Sequence, residues 1–129
     1  MEDRLRRIVL DDGRYTQDAF RFLLEGLEVA IQLAGKQEAD GLERHITGRD
    51  VLRGLEEHGR RLFGPLTPTV WRRWGIRSGL DWGQIVFLLV EHGHLSRQES
   101  DTLDDFRGWK DIKAAFTDYR PELPKRLGA

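Results

Sequence analysis

Cysteine is absent from the 129 residues, which removes disulfides, thiolate nucleophiles and cysteine-ligated zinc or iron–sulfur centres from consideration. Long apolar runs are absent as well. The longest, Ile85 to Val90, is six residues, against the ~20 needed to span a bilayer as a helix, so no membrane segment is expected. The opening stretch, MEDRLRRIVLDDGRY, is charged throughout and lacks an apolar core of signal-peptide length. A cytoplasmic protein of bacterial type is the expectation. An excess of charge is missing too. With a formal net charge of -1 the chain has no general attraction to nucleic acid or anionic lipid, and any such binding requires a local patch.

The familiar signatures of catalysis are also missing. There is no nucleophile elbow, no phosphate-binding glycine loop and no H-E-x-x-H. The carboxylates fall in polar runs that read as solvated, where nothing perturbs their titration. Of the four histidines, His45 and His58 stand apart, and His92 and His94 flank a glycine at a spacing that does not converge on a metal. Enzymatic activity is therefore disfavoured, and no metal or other cofactor is expected.

What is present is a soluble composition, 39% hydrophobic and 33% charged, sufficient for one domain that buries roughly two thirds of its unfolded surface. Helix starts recur with one chemistry: a small polar N-cap after an apolar residue, with a second apolar residue five positions on. Tyr15-Thr16 with Phe20, Ile46-Thr47 with Val51, Leu66-Thr67 with Trp71 and Leu80-Asp81 with Ile85 fit it. Gln84 adds a capping box to Asp81, Pro68 is expected at the first helical position, and Leu95-Ser96 with Glu99 is a fifth start. Gly35, Gly64, Gly75 and Gly93 are the expected left-handed stops. Phe20, Leu23, Leu24, Leu27, Ala30 and Ile31 form one helical stripe, and Val51, Leu52, Leu55, Leu62 and Phe63 a second. A short amphipathic turn around Leu5 and Ile8 precedes them, and a last helix is expected from Trp109 to Tyr119. Sustained period-two alternation is absent.

The expected fold is an all-α, compact single-domain bundle of six or seven short helices over residues 1–119. Residues 36–45 read as a polar loop and 120–129 as a loose C-terminal tail. Phe20, Leu23, Leu27, Leu55, Trp71, Ile85, Phe87, Leu88 and Leu89 are the expected core, with Leu88 at its centre.

The strings RYTQDAFRFLLEGL, HITGRDVLRGL, FGPLTPTVWRRWGI and DWGQIVFLLVEHGHLSRQESDTLDDF resemble a family of small bacterial proteins found mainly in planctomycetes and verrucomicrobia. The resemblance covers about residues 14–116. It implies no catalytic or binding residue, so function has to be read from the residues themselves.

Two features bear on function. Residues 66–95 have the outline of a helix-turn-helix around Gly75, and LLVEHGHLSRQES resembles the end of a winged-helix reading helix. A helix that reads the major groove needs a polar or basic face. The second helix here has no Lys or Arg, starts with Asp81 and contains the apolar run, so two packed helices are the better reading. The second feature is segregated charge. Arg60, Arg61, Arg72, Arg73 and Arg77 occupy a stretch without an acid, whereas Asp81, Glu91, Glu99, Asp101, Asp104 and Asp105 face only Arg97. The two stretches either pair within the fold, stay solvated, or form binding surfaces. The five arginines are the candidate binding residues, with Trp71 or Trp74 available to stack beside a ligand. The leading expectation is a non-catalytic protein-interaction or adaptor module with a protein partner. The alternative is a nucleic-acid-binding protein with an arginine-patch or winged-helix-like surface.

Overall fold

The computed structural model describes residues 2–35, 46–95 and 103–117. Within them α1 spans Glu2–Asp12, α2 Gln17–Leu33, α3 Gly48–Phe63, α4 Thr67–Arg73, α5 Gly79–Glu91 and α6 Ile112–Thr117, with 3-10 turns at Gly64–Leu66 and Leu103–Phe106. No strand occurs among the described residues, so the fold is all-α. The described residues hold six α-helices, of which α4 and α6 have only seven and six residues. The 36–45 loop, the start at Ser96 and the tail 120–129 lie outside the described residues.

The stops agree with their local chemistry. Gly35, Gly64, Gly75 and Gly93 all have positive φ, where a side chain would be strained. The starts agree in part. Thr16 and Thr47 are N-caps, and Thr47 forms a complete box: its Oγ1 accepts from Asp50 N at 3.1 Å, and Asp50 Oδ2 accepts from Thr47 N at 3.0 Å. Tyr15 and Phe20 meet edge to face at 6.5 Å, as the staple predicts. The other two starts are displaced. Thr67 is already helical, and its buried hydroxyl donates back toward Gly59 O and Gly64 O, fastening α4 to the end of α3. Pro68 is therefore the second residue of α4, and Leu66 is exposed rather than stapled over Trp71. Ser78, not Asp81, is the N-cap of α5, and Asp81 is its third helical residue. The amphipathic turn around Leu5 and Ile8 extends into the full helix α1, with both residues buried.

The principal helix pair is α2 against α3. Gly26, Ala30, Gly54 and Leu55 let the two backbones approach closely: a Cβ on Gly54 would lie 2.6 Å from both Ala30 Cβ and Gly26 O. Phe22 on α2 then reaches a cluster of rings. It lies 4.6 Å from His58, 6.0 Å from Phe63, 5.9 Å from Trp71, 5.2 Å from Trp74 and 5.8 Å from Trp82, centroid to centroid. Trp71 extends the cluster to Trp109 and to Phe116 on α6. Phe20, Leu23, Leu55, Trp71, Ile85 and Leu89 are buried, as expected.

Leu27, Phe87 and Leu88 are only half-buried, contrary to expectation. Six consecutive residues on a helix point around its whole circumference. Of α5, only the stripe Trp82, Ile85 and Leu89 faces the core, with Leu88 at its margin. The cavity expected at Leu88 therefore belongs to Leu89. Leu89→Ala should cost about 2–5 kcal/mol in urea unfolding, and Leu88→Ala clearly less. At the helix crossing two effects oppose one another in Gly54→Ala. Helix propensity favours alanine by about 0.5–1 kcal/mol, whereas overpacking against a backbone oxygen costs about 1–3 kcal/mol. The variant should unfold at lower urea than the parent.

Candidate functional site

The arginines expected to act together separate into two groups. Arg60 belongs to the scaffold. Its Nη2 donates to Glu56 Oε1 at 2.9 Å and to Ala115 O at 3.2 Å, and its guanidinium lies 5.8 Å from the centre of the Phe116 ring. Glu56 is buried and also receives Lys110 Nζ at 3.0 Å, so one carboxylate on α3 gathers two cations, one of them from the segment leading into α6. This corrects the reading of every carboxylate as solvated. Glu56 is flanked in sequence by Leu55 and Glu57 and looks like an outward helix position; nothing local signals that Lys110 will reach it. Arg61 pairs with Glu57 one turn back, at 3.3 Å, in an exposed contact.

Arg72, Arg73 and Arg77 are exposed, and among the described residues their guanidinium groups make no hydrogen bond or ion pair. Arg72 and Arg73 end α4, and Arg77 lies in the turn before α5. No ion pair among the described residues joins the 60–77 stretch to Glu91 or Asp105. The tryptophans do not serve as stacking platforms. Trp71 is completely buried, and Trp74 is packed against Phe22 and Phe63.

The turn that carries Arg72 and Arg77 is held from several directions. Gly75 N donates to Arg72 O at 3.0 Å and Ile76 N to Trp71 O at 2.9 Å. Asp81 Oδ2 accepts from Arg77 N at 2.8 Å and Ser78 N at 3.2 Å. From the α1–α2 connection, Thr16 N donates to Trp74 O at 3.2 Å and the Tyr15 hydroxyl to Asp81 Oδ1 at 2.6 Å. Arg14 O fills the space beside Gly75 that a side chain would need. Burial raises the Tyr15 hydroxyl well above the usual tyrosine range, reinforced by the hydrogen bond to Asp81 and its negative charge.

Between the end of α4 and the start of α6 lies a cleft of about 370 Å³, lined by Pro68, Arg72, Ile76, Arg77, Asp111, Ile112 and Lys113. Ile76 and Ile112 lie beneath it and are almost wholly covered, while Arg72, Arg77, Asp111 and Lys113 are exposed at its rim. The volume lies in the range of small-ligand sites. The guanidinium groups of Arg72 and Arg77 against the one carboxylate of Asp111 favour an anionic group, and arginine favours a planar one such as carboxylate. The arginine cluster of the sequence supplies two of these residues. Asp111, Ile112 and Lys113 carried no local signal and reach the cleft only through the packing of α6.

The remaining candidates are structural in their surroundings. His58 Nε2 lies 2.9 Å from Glu25 Oε1, and His92 Nδ1 lies 2.9 Å from Leu88 O at the end of α5. Among the described residues no group of three or more histidines or carboxylates is placed to hold a metal, and no helix is long and apolar enough to cross a membrane. No family model, curated protein or solved structure matches the chain.

The two arginine groups should respond oppositely to charge reversal. Arg60→Glu sets a carboxylate beside buried Glu56 and should cost about 2–4 kcal/mol in urea unfolding. Arg72→Glu or Arg73→Glu should change stability by no more than about 0.5 kcal/mol. The Tyr15–Asp81 contact has its own signature. Since folding raises the phenol's pKa, the contribution is complete below the unfolded value of about 10 and is lost as pH climbs toward the folded value. Urea midpoints should therefore fall between pH 9 and pH 11 in the parent, and less so in Tyr15→Phe.

Proposed function

We propose that the chain is a non-catalytic interaction module that recognises an acidic protein partner through the surface of Arg72, Arg73 and Arg77. The observation that carries this reading is the division of the arginines. Arg60 and Arg61 are paired within α3, whereas the guanidinium groups of the three at the α4–α5 turn make no hydrogen bond or ion pair among the described residues, and Asp81 holds the backbone N–H groups of Arg77 and Ser78. Exposed cations on a held backbone steer an oppositely charged partner. The resemblance to small bacterial proteins brings no residue role with it. A cytoplasmic setting, where such a partner would be met, belongs to the same proposal.

A nucleic-acid ligand would also be attracted by arginines, but two supports for it are weak. The tryptophans beside the arginines are packed inside, and α5 offers no basic side chain to a groove.

The test is affinity capture from the source cells, with the parent and an Arg72→Glu/Arg73→Glu variant as paired baits of matched circular dichroism. The expected result is a protein retained by the parent, released as salt shortens the screening length below about 8 Å, and missing from the variant. Retention of nucleic acid, removed by nuclease, would transfer the reading to the nucleic-acid alternative. Identical captures on both baits would overturn the role of these arginines.

A further inference from the structure

We infer that the cleft between α4 and α6 binds a free amino acid, taking its carboxylate on Arg72 and Arg77 and its ammonium on Asp111. The site goes beyond the partner surface proposed above, although it shares two arginines with it. Arg72, at the end of α4, Arg77, in the turn before α5, and Asp111, just before α6, line the cleft and are exposed at its rim. Among the described residues the side chains of these three make no hydrogen bond or ion pair, either with one another or with another group. Their backbones are held all the same. Arg72 O accepts from Gly75 N at 3.0 Å, Arg77 N donates to Asp81 Oδ2 at 2.8 Å, and Asp111 O accepts from Ala115 N at 2.9 Å. Both signs of charge are thus offered in one cleft, from anchored backbone, without neutralising each other.

Such a lining selects by charge rather than by apolar contact. Ile76 and Ile112 are 1% and 5% exposed, so they form a floor that offers a ligand almost no surface. Lys113 is engaged in an interaction of its own, so the cationic side rests on the two arginines. A simple anion would gain the guanidinium groups but meet the Asp111 carboxylate as a like charge. A simple cation would meet the reverse. A zwitterion gains at both ends: its planar carboxylate accepts paired hydrogen bonds from guanidinium, and its ammonium donates to Asp111. An amino acid is a zwitterion of this form, and a cleft of about 370 Å³ is of the size that small molecules occupy.

The test is a titration of the isotopically labelled full chain, at constant ionic strength, with glycine, γ-aminobutyrate, acetate and methylammonium. The two amino acids differ in the separation of their charges, and the other two probes each carry one half of the pair. At least one amino acid should shift the backbone amides of Arg72, Ile76, Arg77 and Ile112 saturably, and should bind more tightly than acetate or methylammonium. Arg77→Gln should weaken it by about fivefold, the size of one exposed charge contact. Asp111→Asn should weaken the amino acid by a similar factor but tighten acetate, because it removes the like charge. Acetate bound as tightly as the amino acids, or both tightened by Asp111→Asn, would overturn the proposal in favour of a simple anion site. Absence of saturable shifts in the cleft, or affinities that neither variant changes, would remove the site altogether. Both substitutions are at exposed positions, and the same spectra report whether the fold is kept. Asp111→Asn leaves Arg72, Arg73 and Arg77 in place, so the paired baits decide the partner reading whichever way the titration falls.

Discussion

Everything else in the molecule is arranged around the contact between Phe22 and Trp71. Phe22 projects from α2 at the end of the close crossing with α3, and Trp71 is the one large side chain that α4 commits to the interior. A helix of seven residues has too few hydrogen bonds to persist alone. It persists because Trp71 meets rings from α2, α5 and α6, together with Trp109. Each ring pair contributes about 0.5–1.5 kcal/mol beyond its buried area, and the cluster closes on itself, so the short helices act as one packed unit. Among the described residues the buried indole N–H groups of Trp71 and Trp82 have no hydrogen-bond partner.

The placement of charge follows from the same packing. Phe116 of α6 closes over Trp71, and polar contacts tie this segment to α3: Glu56 holds Arg60 and Lys110, while Arg60 reaches the Ala115 carbonyl. A buried carboxylate is tolerated only with such partners. Arg72, Arg73 and Arg77 make no ion pair with these acids among the described residues. No acid in α4 or in the turn competes for them, and the carboxylate nearest in sequence, Asp81, is occupied by backbone N–H groups and the Tyr15 hydroxyl. The residues that support the cleft are thereby distinct from those that line it.

Several elements were legible before any coordinates. Thr47 and Asp50, three residues apart, announce the start of α3, and Gly35, Gly64, Gly75 and Gly93 announce four stops, because each depends on atoms within one helical turn. The periodic stripe through Phe20 and Leu23 located the buried face of α2 for a similar reason. Errors arose where a second segment intervened. Thr67 has the local appearance of an N-cap, but its hydroxyl finds the carbonyls of Gly59 and Gly64 instead. The sequence puts the N-cap of α5 at Asp81, three positions past the observed Ser78, because the partners of Asp81, Arg77 N, Ser78 N and Tyr15, include one that is 66 residues away in the chain. Leu88 and Leu89 are indistinguishable by type, and only the rotation of α5 against α2 and α3 separates them.

By itself, then, the amino-acid order determined the helical class, most helix boundaries and the clustering of cations between His58 and Leu80, since these are properties of neighbouring residues. The i,i+4 spacing of Glu56 with Arg60 and of Glu57 with Arg61 already offers both helical pairs, and the tertiary structure added Lys110 and the Ala115 carbonyl. It also decided that Glu56 is buried and that Asp111, Ile112 and Lys113 complete a cleft with Arg72 and Arg77. The physical reason is range. Caps and stripes are set by hydrogen bonds and periodicity over about four residues, whereas the contact of Arg60 with Ala115 spans 55 positions, and whether a charge is paired depends on what the distant segment brings beside it.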